Sequence, residues 1–337
     1  MQVARTVRRS IALSWLSLMP LACAPSPEAS CGDARPAELR LPLVTLDQNL
    51  LEGARSCPRA YTSELATLTG MANKLVGAPV VSVVQKTKLP ASGDIHDYYS
   101  IGRYYWPDPH SPDGLPYINR DGDVNPEVDS SAYDKHASDV FFGNVQTLSL
   151  AYFYTRQERY ADAAMAQIRA WLIDPNTRMN PEVSYGSAIP GESDGRSFGI
   201  VELVRFHEIL DAAALLSDSS AQTEADREAL RAWMASYGDW LKTSVFGATE
   251  HAAQNNHGSW YDVQRVAIGQ LLEARDDVLS QLEAVKQARI DVQITADGEL
   301  PLEAARADGW YYSCYGLLAL IELADVGARL GVDLWNY

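Results

Sequence analysis

Eight consecutive residues, Asn255-Asn256-His257-Gly258-Ser259-Trp260-Tyr261-Asp262, concentrate two amides, an imidazole and two aromatic rings where core packing asks for none of them. Polar side chains at this density face a ligand, or else they form turns around Asn255 and Asn256 with His257 capping the next helix. A second group of residues shifts the balance toward a ligand. Arg306 precedes Gly309-Trp310-Tyr311-Tyr312-Ser313, and the apolar run from Leu317 to Leu323 reads as a buried helix entered through a polar turn. An amide, an imidazole, a guanidinium and a phenol are then available to one site.

Those four groups suit β-elimination on a uronic acid within a polysaccharide. The hydrogen on the sugar carbon beside the carboxylate is a poor acid while that carboxylate keeps its charge. Asn256, His257 and Arg306 aimed at the carboxylate would stabilise the enolate-like dianion that develops. Tyr312 would move the protons, since a nearby guanidinium favours phenolate and a phenol can return a proton to the departing glycosidic oxygen. The scheme uses no metal and no cofactor.

Several short segments resemble the alginate lyase superfamily: Tyr104-Tyr105-Trp106-Pro107-Asp108-Pro109, Gly114-Leu115-Pro116-Tyr117-Ile118, Arg120-Asp121-Gly122 and Asn125-Pro126-Glu127. Its most specific motif is similar to Asn255 through Gln264. Further matches are Ile189-Pro190-Gly191 with Gly195-Arg196, and Pro301-Leu302-Glu303 with Arg306, so the resemblance runs roughly from residue 95 to 325. It implies an (α/α) toroid, an incomplete barrel of antiparallel helix pairs, that cleaves alginate, polymannuronate or glucuronan by elimination. Asn256, His257, Arg306 and Tyr312 fall on the family's catalytic positions. Ala307 and Gly309 stand where the family often carries Thr and Ser, which keeps Tyr311 and Tyr315 as alternatives for proton transfer. Expected substrate contacts are Tyr99, Arg103, Trp106, Arg120, Tyr185, Arg196, Asn255, Trp260 and Tyr261, with Tyr98, Tyr104 and Tyr105 as further aromatic surfaces for sugar rings.

The elements that must position these groups are helical. Beyond Ser138 the apolar spacing gives consecutive pairs: Asp139 to Thr155 with Glu158 to Ile173, Phe198 to Leu216 with Thr223 to Ser244, and Ser259 to Ala274 with Val278 to Thr295. A last helix covers Tyr311 to Leu330. Val201, Val204, Ile209, Leu210, Ala213 and Leu216 hold one broad face of their helix. Pair lengths and loops vary too much for a tandem repeat, which favours a closed toroid whose loops converge on one end. Residues 91 to 136 form a long connection without clear helix, and a loop of that length inside a compact domain is usually functional.

With 337 residues, 47% of them hydrophobic, the chain can bury a large core as one domain. Its 28 basic and 44 acidic residues give a formal charge of -16, which argues against nucleic acid. A polyanionic substrate then needs a locally basic cleft, built by Arg103, Arg120, Arg196, Arg205 and Arg306. Arg5, Arg8 and Arg9 ahead of the apolar run Ile11 to Ala22 read as an export signal over residues 1–24, too short to span a membrane. The expectation is a periplasmic or secreted monomer. Leu21-Ala22-Cys23 permits a lipid anchor at Cys23, the one expected membrane contact, and Arg8-Arg9 hints at twin-arginine export. Residues 25–60 read as an arm or linker, tethered if Cys31 and Cys57 pair, and residues 61–337 as the toroid.

Other candidate sites weigh less. Asp121, Asp123 and Asn125 alternate as in a calcium loop, but Pro126 takes the glycine position and Ala132 lacks the closing carboxylate; a tight turn presenting Arg120 is expected there. His207-Glu208 lacks a second His four residues on, so His207 is expected to bond locally. Trp171, Trp233 and Trp240 are expected in the core. Cys314 is expected as a small buried hydrophobe. Two rival functions remain: a glycoside hydrolase drawing its acid pair from Glu192, Asp194, Glu250 and Asp262, and a non-catalytic polysaccharide-binding protein.

Overall fold

The computed structural model describes residues 39–337, so the export signal, Cys23 and Cys31 lie outside the described residues. Cys57 is disulfide-bonded and Cys314 is a free, partly buried thiol. The chain begins with α1 (Gln48–Ser56) and α2 (Thr62–Leu75). Next come three short strands, β1 (Tyr99–Ile101), β2 (Tyr105–Trp106) and β3 (Ile118–Asn119). The paired helices start with α3 (Lys135–Thr155) and α4 (Glu158–Ile168), which runs on through a π turn, Arg169–Ile173. After β4 (Tyr185–Ala188) come α5 (Gly199–Glu202), α6 (Phe206–Leu215), α7 (Glu224–Thr243) and α8 (Val245–Ala252). The chain ends with α9 (Asn256–Leu271), α10 (Arg275–Val285), α11 (Asp291–Gln293), α12 (Pro301–Ala304) and α13 (Gly309–Leu330).

Alternate helices pack in sequence, α3 on α6, α6 on α9 and α9 on α13, while α4, α7 and α10 pack behind them. This is the expected (α/α) toroid. Only Glu208 of α6 escapes burial, as a helix covered by neighbours requires. One core lies around α3, α4, α6 and α7, where Phe141 stacks on Trp171 at 5.0 Å, and Trp233 and Trp240 join it as expected. A second lies between α9, α10 and α13.

Three boundaries differ from the periodicity reading. The expected helix from Phe198 to Leu216 breaks at Leu203–Arg205 into α5 and α6, because the backbone tightens there into three-residue turns such as Phe206 N–H to Leu203 carbonyl. Helix α8 fills what read as a loop. Helix α9 begins three residues earlier than expected, since Asn255 itself caps it, its Oδ1 accepting the His257 N–H.

The described part of the expected arm belongs to the folded body. Leu41 and Val44 are buried in the first core, and residues 44–46 run as a strap across the toroid. The Asp211 carboxylate of α6 accepts the N–H groups of Val44, Thr45 and Leu46 and the Thr45 hydroxyl. Their carbonyls accept from Arg329 at the end of α13, and Gln270 at the end of α9 donates to the Val44 carbonyl. Asp211→Ala leaves four donors without their acceptor and is expected to cost roughly 3 kcal/mol. Chemical denaturation would check this, and a loss within error would mean the strap does not hold the toroid.

Candidate active site

Helices α9 and α13 carry Asn256, His257 and Tyr312 on their first turns, with Arg306 in the turn just ahead of α13, and their C-terminal ends hold the strap, so both start at the same end of the toroid. Gly316, one turn beyond Tyr312 on α13, faces Asn256: a Cβ there would lie 3.5 Å from the Asn256 Cβ. Tyr312 and Asn256 are thus neighbours across the α9–α13 packing. Deeper in, Trp260 packs on Tyr315 with ring centroids 4.9 Å apart.

The long connection between α2 and α3 supplies the opposing wall. β2 pairs antiparallel with β3, and the turn after β3 lies against the start of α13. Asp121 there accepts two hydrogen bonds from Arg306, at 2.7 and 3.1 Å. Gly122, at φ +84, has no room for a side chain because Ala307 would sit 2.9 Å from its Cβ. The calcium-like residues therefore have other work: Asp121 pairs with Arg306, and Asn125 caps a short turn by accepting the Glu127 N–H.

Tyr104 and Tyr312 share a hydrogen bond of 2.5 Å between their hydroxyls. The Arg306 guanidinium lies 4.0 Å over the Tyr312 ring, so the expected neighbourhood of these two residues is present. Its expected effect on the phenol is not. Burial, reinforced by the Tyr104 hydrogen bond, holds the Tyr312 pKa well above the ordinary phenol value, outweighing the opposite pull of Arg306 and Arg103. Tyr312 is a protonated phenol at neutral pH in the unliganded protein. Tyr315 is half-buried against Trp260, and Tyr311 is 45% exposed and stacked on Tyr315; among the three tyrosines Tyr312 is the one bonded to Tyr104.

His257 donates from Nδ1 to Oε2 of the buried Glu250 at 2.7 Å, because a carboxylate can only accept. The neutral ring then carries its lone pair on Nε2. Phe198 covers the imidazole with centroids 4.4 Å apart. On the same phenyl ring sits the Arg196 guanidinium at 4.7 Å, and Arg196 reaches the Tyr105 hydroxyl at 3.3 Å. Contacts thus link Tyr312 to Tyr104 and Tyr105 through Arg196 and Phe198 to His257, with Tyr104–Tyr105 and Asn256–His257 adjacent in the chain and Asn256 facing α13 at Gly316.

Asn256 is placed as expected and anchored by the buried Glu303. Its side-chain nitrogen lies 2.7 and 2.8 Å from the two carboxylate oxygens, and its backbone N–H goes to the same carboxylate. A buried carboxylate needs such donors, and since two oxygens of one carboxylate lie in nearly one direction from the amide nitrogen, they take one of its N–H groups and leave the other for a ligand. Arg205 also leaves the expected basic group: it pairs with Glu208 at 2.7 Å and lies over Phe142. Arg103 lies over Tyr104 and Arg120 over Trp106, both exposed.

Three of the other expected substrate contacts, Asn255, Trp260 and Tyr261, are structural. Asn255 is the helix cap. Trp260 and Tyr261 are 2% and 5% exposed, Trp260 within the second core and Tyr261 bonded to the Leu241 carbonyl; the early helix start turns them inward. Tyr185 pairs with Tyr99 between β4 and β1. Tyr99 packs edge-on against Tyr133 and lines a pocket of about 390 Å³, together with Leu115 and residues 188–194, that none of the four catalytic candidates lines. His207 bonds locally, to the Val204 carbonyl at 2.6 Å. Of the acids available to a hydrolase, Glu250 is bound to His257, Asp262 is buried in an ion pair with Arg289 at 2.8 Å, and Glu192 and Asp194 lie exposed in that separate pocket.

Arg306 engages Asp121 through two nitrogens and the Tyr312 ring through its flat face, geometry that a lysine ammonium does not reproduce. Arg306→Lys is therefore expected to lose activity nearly as far as Arg306→Ala, both by roughly 10-fold to 100-fold in steady-state rate. Full rescue by lysine would reduce its role to charge alone.

Comparison with known proteins follows this geometry. A family model described as alginate lyase matches residues 82–337. The crystal structure of an alginate lyase from Bacteroides ovatus is similar at 34% identity and a TM-score of 0.84, covering 88% of this chain and 79% of that one. Alginate lyase A1-III from Sphingomonas species A1 is more distant, at 17% identity and a TM-score of 0.46, covering 80% and 71%. No curated protein matches.

Proposed function

The chain belongs to the alginate lyase family and is a polysaccharide lyase; from that premise we propose that it cuts a uronate polysaccharide, alginate first among them, by β-elimination at this ring of side chains. The observation that carries the mechanism is the hydrogen bonding of its two proton-transfer groups, His257 to Glu250 and Tyr312 to Tyr104. His257 has its proton fixed on Nδ1 by Glu250 and a lone pair on Nε2, which suits it to take the hydrogen from the sugar carbon beside the carboxylate. Tyr312, held as a neutral phenol, suits the transfer of a proton to the glycosidic oxygen as the carbon–oxygen bond breaks. The electron pair of the broken C–H bond becomes the new double bond, and that of the C–O bond leaves with the oxygen. Tyr104, at hydrogen-bond distance, and Arg306, over the ring, support the phenolate left behind. Asn256 and Glu303 fix the start of α9 from which His257 projects.

The name of the Bacteroides ovatus relative puts alginate forward, and glucuronan is the second polymer to try. Initial rates of unsaturated-end formation on polymannuronate, polyguluronate and glucuronan test the reading. We expect turnover on polymannuronate; turnover on glucuronan alone would move the substrate, and turnover on none would refute the proposal. The basic-then-apolar amino terminus supports action as an exported enzyme, and recovery of the enzyme from the cytoplasmic fraction of producing cells would contradict that.

A further inference from the structure

We propose that the buried ion pair of Arg289 with Asp262 is the positioning device of the base: it fixes α8 against α9 so that Glu250 meets Nδ1 of His257. The proposal rests on the lyase reading above for the part that His257 plays. Glu250 stands in the last turn of α8 and His257 in the first turn of α9, so their 2.7 Å hydrogen bond spans two helices joined by residues 253–255. A small shift of one helix on the other would lengthen that bond and release the imidazole to take either tautomer. Something must hold the joint, and Arg289 reaches both sides of it.

Arg289 lies in a π turn, Lys286–Ile290, that continues α10, and both side chains of the pair are almost wholly buried. All five guanidinium N–H groups have acceptors. On the α9 side, Nε donates to Oδ2 of Asp262 at 2.8 Å and one terminal nitrogen to Oδ1 at 3.2 Å. On the α8 side, that same terminal nitrogen donates to the His251 carbonyl at 2.8 Å and the other one to the Ala253 carbonyl at 3.2 Å. One planar fork therefore ties the last carbonyls of α8 to the second turn of α9. Gly258 lets the two helices close on the joint, since a Cβ there would lie 2.2 Å from the Ala253 carbonyl oxygen and 2.8 Å from the guanidinium carbon. Gln293 on α11 repeats the grip one turn further along, donating to the Asn255 carbonyl and accepting from the Ser259 hydroxyl, both at 2.9 Å. Stability alone does not call for this arrangement, because a buried ion pair adds little over well-packed apolar groups. Two carbonyls of the joint held by one guanidinium do fix its geometry.

The test replaces the pair by apolar residues of similar size. Asp262→Leu combined with Arg289→Met removes both charges at once, leaves no buried charge unpaired and is expected to keep the fold, which thermal melting checks. The double variant should lose at least about 20-fold in kcat on polymannuronate with KM within about 3-fold of wild type. Nitrogen-15 NMR of labelled histidine, with the His257 signals assigned through His257→Ala, should show a proton on Nδ1 alone in the wild-type protein and a mixture of the two tautomers in the variant. Arg289→Lys keeps a charge opposite Asp262 without the fork; it should show the same two defects to a smaller degree, and it decides the question should the double variant not fold. An unchanged His257 tautomer in a folded variant would overturn the proposal, whatever its rate. A tautomer that is fixed in the wild-type protein and mixed in the variant, with no turnover by either, would refute the lyase reading and uphold the positioning role.

Discussion

Tyr312→Phe is expected to abolish measurable elimination, by about 100-fold to 10,000-fold in kcat, while the protein stays folded and still binds polymer. The substitution removes one hydroxyl, and that hydroxyl is the proton donor to the leaving oxygen and the partner of Tyr104 at 2.5 Å. The ring that Arg306 covers stays in place, so packing is nearly unchanged. Tyr104→Phe should fall well short of that loss, because it removes support for the phenolate and leaves the donor. Substantial turnover by Tyr312→Phe would shift the role to Tyr311 or to a water. Tyr315 is a poor substitute, since it is packed on Trp260 with ring centroids 4.9 Å apart and is not the tyrosine bonded to Tyr104.

The second large effect concerns the tautomer of His257. His257→Ala should lower kcat by about 100-fold to 10,000-fold through loss of the base. Glu250→Gln is the sharper variant. A glutamine at this position can accept the Nδ1–H or donate to a bare Nδ1, so it no longer compels the lone pair onto Nε2. We expect it to lose most of the activity with the ring still under Phe198. If Glu250→Gln cuts at the wild-type rate while His257→Ala is inactive, Glu250 serves packing only and His257 acts by charge or contact instead of as a base.

Much of this site was legible from local pattern. Asn256-His257, Arg306 and Tyr312 stand out because polar groups are dense where a helix begins, and the helix starts are readable from periodicity. The partners that define what those groups can do were not. Glu303 lies 47 residues from Asn256 along the chain, and no local spacing announces that it will anchor the amide. Phe198 reads as the first apolar residue of a helix, and only the break after α5 and the packing of α9 set it between Arg196 and His257. Glu250 reads as a spare acid because α8, which carries it, is too short to show a clear period. Trp260 and Tyr261 were misplaced for a related reason. Once Asn255 caps α9, both fall a full turn inside the helix and face its neighbours, whereas a helix starting at Ser259 would leave them at its rim.

The fold shows the same division. Long amphipathic helices such as α3, α7 and α13 follow from apolar spacing alone. Residues 44–46 gave no signal, because their order comes from Asp211, Gln270 and Arg329, which lie more than 160 residues away.

The most direct measurement of the central claim is the mass and ultraviolet absorbance of the products when the purified enzyme cuts polymannuronate. Elimination adds no water and creates a conjugated double bond. The expected result is new chain ends that absorb in the ultraviolet, one per bond broken, each unsaturated product one water lighter than the saturated oligomer of the same length. Chain cleavage that gives only saturated, full-mass oligomers with no absorbance would be hydrolysis, and would contradict it.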